Sequence, residues 1–75
     1  MKQTKIMLST IEDVKNFVNI VTGCTFDVDL ISGRYAIDAK SIMGIFSLDL
    51  SKPIEVHAHT EDDSFLDLVK DFIVD

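Results

Sequence analysis

The run Ile54-Glu55-Val56-His57-Ala58-His59 constrains the fold more than any other stretch of the chain. Successive side chains of a strand point to opposite sides, so Ile54, Val56 and Ala58 share one face and Glu55, His57 and His59 the other. One face is apolar and one is polar. A strand of this kind is half-buried, and a sheet that is covered on one side and open on the other is typically antiparallel. Pro53 heads the run, where the missing N–H removes no ladder hydrogen bond.

The period of two recurs elsewhere. From Thr4 to Leu8, residues Thr4, Ile6 and Leu8 fall on one face and Lys5 and Met7 on the other. Phe26 to Ile31 alternates with acids at Asp27 and Asp29, and Tyr35 to Asp38 is a further extended piece. Ser32, Gly33 and Arg34 between them predict a tight turn, hence a hairpin.

Helical spacing separates these strands. Ile11, Val14, Phe17, Val18 and Val21 lie on one helix face, predicting a helix over Ile11 to Thr22. Ser9 and Glu12 have capping-box spacing, and Gly23 suits a left-handed stop. Ile42 to Leu48 predicts a helix of two turns with Ser41 as N-cap. From Ser64, the residues Phe65, Leu66, Leu68, Val69, Phe72 and Ile73 predict a final helix, with Thr60 as N-cap and Glu61, Asp62 and Asp63 at its positive end. The acids there need no bound cation to explain them.

The expected fold is α+β: an open-faced sandwich in the order βαββαβα, with a four-stranded antiparallel sheet covered on one face by three helices. The 75 residues support a single core, so 1–75 reads as one domain. Seven Lys and Arg against thirteen Asp and Glu leave a net charge of −6, which argues against nucleic acid and anionic membranes as partners. The N-terminus is strand-like, no apolar run approaches the length of a membrane span, and a single Cys cannot form an internal disulfide; together these point to the cytosol.

Three groups of residues could carry chemistry. His57 and His59 share a strand face and could bind a metal with Glu55 or place an imidazole for catalysis; the alternative is that they are polar outer residues of a half-buried strand, and no metal or cofactor is assigned. Cys24 reads as a small packing residue. Ser41 stands within Lys40-Ser41-Ile42-Met43-Gly44, part of the longer segment Ile37 to Leu48.

That segment resembles the regulatory-serine segment of HPr, the histidine-containing phosphocarrier family of the bacterial sugar phosphotransferase system. The resemblance extends upstream through Asp27-Val28-Asp29-Leu30 and the Gly33 turn. Downstream it runs through the Glu55 to Asp63 strand and acidic helix start, and it covers most of the chain after residue 14. It implies the same βαββαβα fold that the periodicities predict.

The family carries a His, Ala, Arg, Pro sequence at the start of its first helix, where the imidazole accepts a phosphoryl group and the Arg steadies the anion. Counting back without gaps from Lys40-Ser41 puts Thr10, Ile11, Glu12 and Asp13 at those positions. The nucleophile is missing, and two carboxylates stand where a cation is needed. No catalytic residue is therefore assigned, and the chain is not read as an enzyme.

The resemblance further implies that Ile42, Met43 and Phe46 form a solvent-facing docking patch for a protein partner, and that Ser41 is a regulatory phosphorylation site. A phosphate at an N-cap would meet unpaired backbone N–H groups with Lys40 nearby. Against these stand plainer alternatives, in which the short helix buries the three apolar side chains and Ser41 only caps it. The expected function is a non-catalytic, HPr-like binding or regulatory module, a monomer or weak homo-oligomer. The alternatives are a phosphocarrier that uses an atypical residue such as His57, and a structural, self-associating domain.

Overall fold

The computed structural model describes residues 1–74. In chain order the elements are β1 (Lys2–Ile6), α1 (Ile11–Thr22), β2 (Val28–Ser32), β3 (Tyr35–Asp38), α2 (Ile42–Phe46), β4 (Ile54–Ala58) and α3 (Ser64–Leu68). A 3-10 turn follows at Lys70–Phe72. The strands form one antiparallel sheet in the order β1-β4-β2-β3, so β4, the last strand made, fills the gap between the first two.

The alternation in β4 sets the two faces. Ile54, Val56 and Ala58 are fully buried, and the register sets Ile54 opposite Ile6, Val56 opposite Leu30, and Ala58 opposite Val28. Val14, Phe17 and Val21 of α1, Ile45 of α2 and Phe65 of α3 close over them in a single apolar cluster. The other face is open, with His57 opposite both Gln3 and Asp29, and Asp29 opposite Asp38. The expected α+β open-faced sandwich is the observed one. No helix among the described residues is long and apolar enough to cross a membrane.

Local details depart from expectation. The α1 capping box is Thr10 with Asp13, not Ser9 with Glu12: Thr10 Oγ1 accepts the Asp13 N–H at 3.0 Å and Asp13 Oδ2 accepts the Thr10 N–H at 3.3 Å. Thr10 is the residue directly before the first helical one, and that is where a cap must stand. Ile11, expected on the buried face, is 65% exposed. Gly23 ends α1 without left-handed backbone, at φ −76°. The positive-φ glycine is Gly33, at φ 59° in the β2–β3 turn, where a side chain would be strained.

Two strand limits also move. β1 spans Lys2–Ile6 and not Thr4 to Leu8, although Ile6 and Leu8 are both buried as the alternation requires. β2 begins at Val28, leaving Phe26 to pack edge-to-face on Phe65 with ring centroids 5.8 Å apart.

The last helix is shorter than its periodicity. Asp63, not Thr60, occupies the N-cap position, and Thr60 Oγ1 instead accepts the Asp62 N–H within the preceding turn. α3 stops at Leu68, which is 54% exposed. Beyond it the chain turns so that Phe72 meets Phe17 edge-to-face, with centroids 5.8 Å apart. Ile73 then bridges to Ile6, flanked by the Met7 N–H to Phe72 carbonyl and Val74 N–H to Lys5 carbonyl bonds. Pairing with β1 satisfies backbone groups at a sheet edge, and a continued helix would leave those groups without partners.

Candidate functional site

The β3–α2 connection is built by local hydrogen bonds. Asp38 Oδ1 accepts the Lys40 N–H at 2.9 Å, and the Asp38 carbonyl accepts the Ser41 N–H at 3.0 Å, which turns the chain out of the sheet. Ser41 is extended, at φ −96° and ψ 99°, and its Oγ accepts the Gly44 N–H at 3.2 Å. Its capping role is therefore observed. The side chain itself is exposed.

Beyond the cap, α2 divides its apolar residues. Ile45 is buried and Ile42 packs half-buried against the core, anchoring the helix. Met43 is 77% exposed and Phe46 41% exposed. Met43 and Phe46 thus face solvent beside Ser41, whereas Ile42 contributes an edge only. Lys40 reaches the other way. Its Nζ donates to the Cys24 carbonyl at 3.3 Å, supplying a cation at the end of α1, a helix with no basic residue in its last turn.

Thr10 sits at the opposite end of α1. It is exposed, but its hydroxyl oxygen and backbone N–H are both held by Asp13, and Asp13 Oδ2 also accepts the Ser9 N–H at 3.1 Å. Glu12 stands exposed next to it. This helix start is acidic and self-satisfied. Ile11 is an exposed apolar residue that helical spacing assigned inward; its place as the first residue of the helix, before packing begins, was the available signal.

The two histidines lie on the open face of β4. His59 Nε2 is 2.8 Å from Asp29 Oδ2, while His57 Nε2 is 3.6 Å from Glu55 Oε1, out of contact with solvent and without a hydrogen-bond partner. Among the described residues, no group of three His, Cys, Asp or Glu side chains converges to hold a metal ion, and no pocket is enclosed. Cys24 is half-buried with its Sγ 3.7 Å from the Ile20 carbonyl; burial pushes its thiol up from the ordinary value, with Lys40 opposing.

No protein-family model matches the sequence, and no curated protein matches it. Among solved structures, the chain is similar to HPr-C-His from Thermoanaerobacter tengcongensis. The two share 22% sequence identity with a TM-score of 0.79, over 95% of this chain and 89% of that one. That likeness shows the fold: this chain has an HPr-like open-faced sandwich.

Proposed function

We propose that this chain is a non-catalytic, HPr-like binding module of the phosphotransferase-related kind, with its docking surface on α2 and a phosphorylation switch at Ser41. The observation that carries the reading is the exposure of Met43 and Phe46 on the short helix that Ser41 caps. Met and aromatic side chains are enriched at the cores of protein interfaces. A protein partner in the cytosol covers them.

The start of α1 supports the non-catalytic half. Thr10 stands where the resemblance places the phosphoryl-accepting histidine, its hydroxyl is engaged by the Asp13 N–H, and Glu12 adds a negative charge beside it. A dianionic phosphoryl group is repelled there. The alternative acceptor His57 is only partly exposed on the open face of β4, with its Nε2 out of contact with solvent.

Incubation with enzyme I and labelled phosphoenolpyruvate tests the first half, and acid-labile label on His57 or His59 would overturn it. Incubation with an HPr-type serine kinase and ATP, followed by peptide mapping, tests the second. Phosphate on Ser41 is expected, and its absence under conditions that modify ordinary HPr would leave capping alone.

A further inference from the structure

Gly44 lies inside α2, yet its backbone does not call for glycine. The positive φ among the described glycines belongs to Gly33, so an L side chain fits the backbone at Gly44, where alanine is the better helix former. The space is tight instead on the side of Ser41. A Cβ on Gly44 would stand 3.1 Å from Ser41 Oγ, 3.4 Å from Ile37 Cδ1 and 3.5 Å from Ser41 Cβ. The approach to Ser41 Oγ is the tight one and the contact with Ile37 is close to ordinary, so the crowding falls on the Ser41 side chain.

The same residue also holds that hydroxyl. Gly44 donates its N–H to Ser41 Oγ, which fixes the oxygen at the head of the helix, and its missing side chain keeps the volume beside the oxygen empty. A hydroxyl oxygen has two lone pairs. One accepts the Gly44 N–H and the other stays available.

We propose that Gly44 is a positioning residue for phosphorylation of Ser41, holding the hydroxyl through its backbone and leaving room for the added phosphoryl group. This rests on the reading of Ser41 as a phosphoacceptor. In the step itself, Ser41 Oγ attacks the γ-phosphorus of ATP and forms an Oγ–P bond. The bond from that phosphorus to the bridging oxygen breaks, ADP leaves, and the hydroxyl proton passes to a base on the kinase. A methyl at position 44 intrudes on the ground that the tetrahedral group must occupy. It also presses on the Ser41 hydroxyl, which must give by a few tenths of an ångström.

The test compares the wild type with Gly44→Ala under an HPr-type serine kinase and ATP, measuring kcat and KM by intact mass alongside the thermal midpoint. The expected result is a folded variant whose kcat falls at least about tenfold while KM stays within about twofold, because crowding acts on the reacting oxygen and not on docking. Equal kcat in the two proteins would overturn the role of Gly44 and leave the Ser41 reading standing. No modification of the wild type would overturn both.

A kinase-free double-mutant cycle guards against a poorly folded variant. Ser41→Glu supplies a bulky anionic stand-in, and its effect on the urea midpoint should be larger in the Gly44→Ala background than in the wild type. Strict additivity would overturn the proposal.

Discussion

Thr10 and Asp13 satisfy each other: Thr10 Oγ1 accepts the Asp13 N–H at 3.0 Å while Asp13 Oδ2 accepts the Thr10 N–H at 3.3 Å. The start of α1 is thereby a closed structural unit. Thr10→Ala should lower stability by about 1 kcal/mol, the usual worth of an N-cap side chain, as read from urea unfolding. An unchanged midpoint would mean that solvent replaces the cap without loss.

Exposure separates the patch from the core. Phe46→Ala and Met43→Ala should leave stability within about 0.5 kcal/mol of wild type, since surface changes rarely exceed that, while weakening partner association. Isothermal titration against a bound partner and a thermal melt of the same variants check both halves. A large loss of stability would show that these side chains support the fold.

Phe17 is the opposite case. It is fully buried and carries the edge-to-face contact with Phe72 that seats the C-terminal segment. Removing a buried Phe side chain costs about 3 to 5 kcal/mol, and a core of this size supplies only about 3 to 5 kcal/mol in total. Phe17→Ala should therefore be largely unfolded at room temperature, which loss of amide chemical-shift dispersion would report.

Stability should fall at both ends of the pH range. Side-chain and backbone bonds from Ser51 hold the Asp49 carboxyl below the usual range, the N-terminal ammonium does so for Glu61, and the Ser64 N–H for Asp62. Groups with depressed folded values contribute stability above the ordinary carboxylate value, and it is lost as pH drops from about 4 through their folded values. Lys2 is raised by its hydrogen bond to Asp63, so its contribution is present below about pH 10.4 and lost above. The three carboxylates are exposed and Lys2 is half-buried beside the exposed Asp63, so solvent screening should keep the effects small. Asp49→Asn should flatten the acid limb of a plot of urea midpoint against pH.

Much of the fold was legible because periodicity reports burial directly. Ile54, Val56 and Ala58 alternate in the sequence and are fully buried in the sheet, and α1 spans the predicted Ile11 to Thr22. The Ser41 cap was legible too, since a cap depends on residues a few positions apart. Ile11 was misassigned because spacing alone cannot tell a helix's first turn, not yet packed, from its middle.

Neighbours distant in the chain decided the rest. The apolar run from Phe65 to Ile73 has helical spacing throughout, yet α3 ends at Leu68 because Ile73 bridges to Ile6 and Phe72 packs on Phe17. Likewise, helical spacing is silent on Lys40 reaching Cys24, and Gly44 acquires its meaning only when Ile37 and Ser41 close around it. The sequence by itself determined which residues must leave water and how the backbone alternates, because both follow from local spacing and the hydrophobic effect. Only the tertiary structure decided which strand edge the C-terminal residues would satisfy and which side chains stayed outside, because hydrogen bonds and packing between distant segments outweigh the propensity of any single turn.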